Sequence, residues 1–478
     1  MTQPQAVVLD GRGRFLPGGA DAPARVTFGD AECTLAFGAD TRVASYRDIA
    51  TIAVSQGATL LVLGTGPGAE RFVLERFGQA QGQLVRELRG RRFHQQLADA
   101  LIQVSADPID LVEYEADEEH GVAQLAYHPW GVVLAPLDER LAWIRLRRGA
   151  LASVEVDEAY GRVTVTASGG PERTSRVVLP GLGERARLHG DRLTGLRRAA
   201  QEDAGRLIGA LVPDADYSVR QEAARVLVDG RPAQPADLPT AWPDLEAGVL
   251  VEPTFAASYA TLRSKAGPQA DLRAIAIAPA SPGADEAKSW FFVPLPGNLV
   301  ALELVSEGAH ATYCFRVQRR TDWAGGPTSP GALADAIRDV SEALVDARFL
   351  REPMALPDDV LRQPAYLRYR LALRVLPSLA AARSRFVARI VHRDEASWSA
   401  ALDDLIAWHT VERDDSAVWP GRLAQESMVA EAGSDDASAG TGPRLAASTD
   451  DAAAGADSAP DAGAAHPAAA QPPSAGGA

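Results

Sequence analysis

Arg385, Arg389 and Arg393 are spaced by four, so a helix through them would align three guanidinium groups in one stripe. Phe386, Val387, Ile390 and Val391 would then occupy the buried side. Arg368, Arg370 and Arg374 add charge to the same stretch, and no acid stands between Asp359 and Asp394. Guanidinium groups arrayed in this way hold carboxylates and phosphates bidentately. These six residues form the candidate anion- or partner-binding site. The plainer reading is a solvated helix face pairing with acids elsewhere, including the chain's own acidic C-terminus.

Other residue types that carry chemistry are dispersed. His94, His120, His128, His189, His310, His392, His409 and His466 occur singly, none with a second His, Cys or acid at a tight metal-ligand spacing. The run DEEH at 117–120 sets acids beside a histidine in what reads as an exposed linker. There is no Gly-x-Ser-x-Gly elbow, and Cys314 falls within an apolar run with no evident base. Cys33 and Cys314 are too far apart to suggest a disulfide framework and are expected to be buried, reduced thiols. Trp290, Phe291 and Phe292 read as sheet core. No metal or cofactor is implied.

The segment TLLVLGTGPGAERFVLERFG presents a sharper choice. An apolar strand entering Gly64, Gly66 and Gly68 is how a dinucleotide-binding turn begins, but there a helix must start at the glycines to hold the phosphate. Here Pro67 occupies the turn and FVLERF, itself β-like, comes before any helix. The segment is expected to be a β-hairpin.

The chain of 478 residues is 46% hydrophobic and 23% charged, with a net charge of −15, which disfavours general nucleic-acid binding. Ten acids and two arginines follow from Asp414 onward, so about half of the excess belongs to the C-terminus. No apolar stretch approaches the ~18 residues a membrane span needs, and the N-terminus lacks the pattern of a secretory signal. The expected location is the cytoplasm.

Two stretches share one plan. In residues 24–104, ARVTFG, ECTLAFG, RVASYRDI, TIAVS, TLLVLG and ERFVLERF lead to a helical segment with Leu84, Leu88, Leu97 and Leu101 on one face. In residues 122–212, VAQLAYH, GVVLAPL, LAWIRLR, ALASVEVDE, GRVTVTAS and RTSRVVLPG lead to another. The hairpin of the first falls on RVTVTASGGPERTSRVVLPGLG of the second. Each module, an antiparallel meander closed by one amphipathic helix, resembles the pleckstrin-homology-like (PH/GRAM-type) superfamily, notably at RVASYRDIATIAV and DERLAWIRLRRGALASVEV. The resemblance implies adaptor-like binding without catalysis. The loop that is basic in phosphoinositide-binding members corresponds to the region of Gly29, Asp30 and Ala31, which has no Lys or Arg, so phosphoinositide binding is disfavoured.

The remaining divisions are an N-terminal arm (1–23), a linker (213–245) with a short helix around QEAARVLV, a third β-rich module with a helical hairpin (246–413), and an acidic Ala/Gly/Pro-rich tail (414–478). GVLVEPTF, DLRAIAIAP, SWFFVPL, NLVALELV and ATYCFRVQ read as strands of the third module, which is either another barrel or a different sheet. Asp394 is expected to cap the helix EASWSAALDDLIAWHTVER. The tail has too few large apolar residues to offset its ordering entropy and is expected to be disordered. The fold class is mainly β with α, and the expected function is a non-catalytic scaffold binding a protein partner. An acidic or phosphate-bearing ligand is an additional partner class. The alternatives are an enzyme or nucleotide-dependent regulator with a site between modules, and peripheral attachment to an anionic membrane.

Overall fold

The computed structural model describes residues 7–421 apart from 65, 104–108, 118, 139, 169–173, 252, 306–310, 324 and 413. The expected disorder of the tail therefore lies, for 422–478, outside the described residues, as do His310, His466 and the turn 169–171. The described residues form one compact unit, mainly β, with three antiparallel sheets and eleven α-helices among them.

The first sheet contains β1 (Val7–Leu16), β2 (Ala22–Phe28), β3 (Glu32–Phe37), β4 (Asp40–Ser45), β5 (Ile49–Ser55), β6 (Ala58–Leu63) and β7 (Glu70–Glu75), followed by helix α1 (Gln81–Asp99). Its strand order is β4-β3-β2-β1-β7-β6-β5. All seven strands turn alternate residues, among them Val26, Leu35, Leu61 and Phe72, toward a single core, so the sheet rolls into a barrel. The glycine-rich segment is the hairpin between β6 and β7, with Leu63 paired to Glu70 and Ala58 to Glu75. Gly64 and Gly66 take left-handed φ values of 74° and 80° in its turn, and no helix begins there.

The second sheet repeats the arrangement. It comprises β8 (Asp110–Ala116), β9 (Glu119–His128), β10 (Gly131–Pro136), β11 (Ile144–Arg147), β12 (Leu151–Asp157), β13 (Arg162–Ser168) and β14 (Thr174–Leu179), then helix α2 (Arg185–Leu211). The order β11-β10-β9-β8-β14-β13-β12 is the same permutation as in the first sheet. In both units the boundary read from sequence cuts off the central strand. Residues assigned to an N-terminal arm form β1, and the acidic run VEYEA, which precedes the expected start of the second module at 122, forms most of β8. Gly11 and Gly13 hid β1, yet both are required there: a Cβ would come within 2.3 Å of the Phe77 ring at Gly11 and 2.6 Å of Phe37 at Gly13.

Helices α3 (Tyr217–Val226), α4 (Trp242–Val249) and α5 (Pro253–Ala266) lead to β15 (Ala274–Pro279), β16 (Ala287–Leu295), β17 (Leu299–Val305) and β18 (Ala311–Arg316). Then come α6 (Pro330–Asp346), α7 (Glu352–Ala355), α8 (Asp358–Leu361), α9 (Leu367–Val375), α10 (Pro377–Arg385), β19 (Phe386–Val391) and α11 (Glu395–Val411). The third sheet runs in chain order from β15 to β19, a five-stranded meander rather than another copy of the barrel. Both faces are covered: Trp290 and Phe292 pack under α6, α9 and α10, while Phe291 and Val293 pack under α4, α5 and α11. GVLVEPTF, expected as a strand, instead closes α4 and opens α5, where Pro253 suits the first helical turn. Asp394 caps α11 as expected, its carboxylate accepting from the Ser397 N–H at 2.8 Å.

The capping helices join these parts. Leu84 and Leu88 of α1 complete the first barrel, whereas Phe93 and Leu97 pass into the core above the third sheet. Ala186 and Leu193 of α2 close the second barrel, and Ala200 through Ile208 pack beneath the sheet. Residues read as the linker 213–245 are part of the same core, with Ala223, Leu227 and Trp242 buried. The start of the expected tail is also docked: Trp419 is 2% exposed and donates to Asp404 Oδ2 at 2.9 Å.

Candidate ligand cleft at the second-barrel seam

In β11 the alternation of a strand sends Leu146 into the barrel and leaves Arg145 and Arg147 facing out. They meet α6 and the single helical turn Val228–Gly230. Arg145 Nη1 lies 2.8 Å from Asp346 Oδ1, and Arg147 lies between Asp229 (3.5 Å) and Asp346 (3.9 Å). The adjacent Arg148, 2% exposed, reaches Asp203 at 2.7 Å and Asp229 at 3.1 Å, with its guanidinium 5.1 Å from the Trp130 ring centroid. Burial works against the charge on Arg147, but Asp229 and Asp346 more than restore it, and its pKa is raised. Burial dominates at Arg145 and lowers its pKa, with Asp346 opposing.

Asp229 adopts φ 55°, a conformation Asp tolerates better than most residues, and the neighbouring chain is close-fitted to it. A Cβ at Gly149 would stand 2.5 Å from Asp229 Cβ. At Gly230, with φ 79°, a Cβ would meet Val345 at 2.7 Å. Ser341 donates to the Gly230 carbonyl at 2.7 Å and accepts from the Trp290 indole at 3.0 Å. A buried chain of polar contacts thus runs from the seam to the third sheet.

Beside this network opens a cleft of about 340 Å³, with Val228, Ala274 and Ile337 among its apolar lining. Its charged lining is Arg147, Arg225, Arg231 and Arg338 against Asp229, Asp237 and Glu342. Glu342 is half-buried on α6, and burial raises its carboxyl pKa against the opposing pull of Arg147, with Asp346 adding to the rise. Among the described residues it has no hydrogen-bond partner. Arg338 is paired with Asp335. No histidine or cysteine lines the cleft; what the arrangement offers chemically is hydrogen bonding and charge.

The arginines expected as one site are distributed over separate elements. Arg370 and Arg374 lie four apart on the exposed side of α9, and Arg368 sits 4.9 Å from the Tyr369 ring centroid. Arg385 ends α10 and is held by Asp339 at 3.0 Å. Arg389 belongs to β19, 5.8 Å from the Tyr313 ring centroid, and Arg393 follows that strand, exposed. The helical stripe of Arg385, Arg389 and Arg393 does not form. A spacing of four also keeps residues on one side of a strand, and FVARIV, rich in β-branched residues, completes the sheet against β18. Sequence reading missed the cleft residues because Arg225, Arg231, Arg338 and Glu342 come from segments more than a hundred residues apart at the extremes. The one legible signal was IRLRR, where charges alternate with a leucine.

Two other groups of reactive side chains are structural. His392 Nε2 lies 3.0 Å from Glu303 Oε1 and its Nδ1 lies 3.4 Å from Ser258 Oγ, but Ser258 is only 6% exposed. Both cysteines are buried, and burial pushes the Cys33 thiol up to about 12 and Cys314 further. Among the described residues no group of His, Cys, Asp and Glu could hold a metal ion, and no helix is long and apolar enough to cross a membrane. No protein-family model matches the chain, and no curated protein matches it in sequence.

Proposed function

We propose that the protein is a non-catalytic binding protein of the cytoplasm, in which two PH-like modules held by a common core engage a protein partner. The observation that carries this reading is the duplication: two seven-stranded units with the same strand order, each closed by a helix whose far half is rooted in the core. Rooting both helices fixes the modules while leaving barrel surface free. The second barrel commits its β11 side to the seam. In the first, β4 is an edge strand with Asp40, Thr41, Arg42 and Val43 all exposed, Val43 at 54%. An unpaired edge with an exposed apolar residue favours an extended peptide adding as a further strand.

The test is site-specific photocrosslinking in the native host from position 43 and, as control, from Tyr160, which is 78% exposed on the other barrel. One protein crosslinked from position 43 alone, and lost when Pro replaces whichever of Thr41 and Arg42, just before the probe, turns its N–H away from β3 to the open edge, supports edge docking. Equal capture from both positions, or capture insensitive to that proline, refutes it. The cleft favours a second reading, regulation by a small ligand.

A further inference from the structure

Nearly every arginine at the second-barrel seam has a carboxylate. Arg145 has Asp346, Arg147 and Arg148 share Asp229, Arg206 has Asp203, and Arg338 has Asp335. Arg225, at the end of α3, and Arg231, just after the turn Val228–Gly230, depart from this pattern. Both line the cleft, both are exposed, and the side chain of neither makes a hydrogen bond or ion pair among the described residues. The cleft as a whole sets four arginines against three carboxylates, one of which, Glu342, has no donor. In a chain of net charge −15, a cavity lined by more arginines than carboxylates is a local departure from the charge of the whole molecule.

These features complement one kind of molecule. Two unpaired guanidiniums lining one cleft suit a phosphate or carboxylate, since charge-assisted bonds to an oxyanion are the strongest they can form. A half-buried carboxyl with no protein hydrogen-bond donor suits an amine or hydroxyl, which could donate a charge-assisted bond to it. The volume of about 340 Å³ lies at the lower end of the range of small-molecule sites. We propose that the cleft binds a small organic acid, phosphorylated or carboxylated, with its acidic group on Arg225 and Arg231 and an amine or hydroxyl on Glu342. This holds independently of the docking role of β4.

The test titrates the full chain by calorimetry with O-phosphoethanolamine, β-alanine and inorganic phosphate. The first two share an amine and differ in the acid; the third lacks the amine. At least one amine-bearing probe is expected to bind about tenfold or more tightly than inorganic phosphate. Arg225→Gln with Arg231→Gln should weaken that probe and phosphate alike by about tenfold or more. Glu342→Gln should bring the amine-bearing probe down toward the affinity of phosphate and leave phosphate itself little changed. Arg370→Gln with Arg374→Gln, on the exposed face of α9, is the control that should change nothing. Preference for O-phosphoethanolamine or for β-alanine identifies the acid. No binding of any probe at 10-millimolar-order concentration, or binding indifferent to the Arg225 and Arg231 changes, overturns the proposal.

Discussion

Asp229→Asn should destabilise the protein far more than removal of an ordinary surface carboxylate. The side chain of Asp229 is 1% exposed and serves Arg148, 2% exposed, and Arg147, 11% exposed. Asparagine preserves shape and tolerates the positive φ, so backbone strain does not confuse the result. Stripping one partner from a buried ion pair costs about 3–5 kcal/mol, because a buried charge is left uncompensated. Arg148 keeps Asp203 at 2.7 Å, whereas Arg147 keeps Asp346 only at 3.9 Å, so the lower end, about 3 kcal/mol, is expected. With ~2.1 cal/mol/K of unfolding entropy per residue, the unit Met1–Glu426 has ~0.9 kcal/mol/K, giving a fall in Tm of roughly 3 °C. The control is Glu202→Gln, which breaks the exposed pair with Arg198 and should shift Tm by under about 1 °C. Calorimetry measures both, and hydrogen exchange should show protection lost at Arg148–Ala150 and Val228–Gly230 before the first barrel. Equal shifts for the two variants, or exchange changes confined to the first barrel, would refute the seam as a buried electrostatic joint.

Glycines in α2 should respond to alanine with opposite signs. At Gly195 nothing lies within 4 Å of a new Cβ, so Gly195→Ala should stabilise by about 0.5–1 kcal/mol, whereas at Gly190 it would meet Val156 Cγ2 at 2.2 Å and Gly190→Ala should destabilise; denaturant midpoints decide. Burial holds His409 at a pKa of about 4, against an ordinary value near 6.5. The unfolded chain therefore takes up this proton first, and stability should fall with pH between about 6.5 and 4 by up to ~1.4 kcal/mol per unit, a slope that His409→Gln should reduce by about one proton. Truncation after residue 413 removes Trp419 and the Asp415 partner of Arg316, so it should lower Tm measurably, whereas truncation after Gly421 should not. Trp419→Ala alone is expected to cost about 3–5 kcal/mol.

Much of the architecture was legible because it rests on short-range periodicity. The hairpins, the two capping helices and β15 to β18 follow from alternation, helical spacing and turn residues acting within a few positions. Asp394 could be named as a cap for the same reason. The central strands β1 and β8 were lost to glycines and acids, although Val112 and Tyr114 alternate with Glu113 and Glu115 as a half-buried strand should. The arginine series misled because a spacing of four satisfies both a helix and a strand.

By itself the sequence determined the repeated strand–helix unit, the barrel cores and the acidic, compositionally biased C-terminus, since each depends on local pattern or bulk composition. Only the tertiary structure decided that α1 and α2 serve two cores, that the third sheet is covered on both faces, and that residues 414–421 belong to the folded body. It also decided the cleft. Arg147, Arg225, Arg231, Arg338 and Glu342 are brought together by the packing of β11, α3 and α6. Nothing in the spacing of residues so far apart in the chain encodes which charges will share a cavity, because that depends on how whole elements pack and which carboxylates they exclude from solvent.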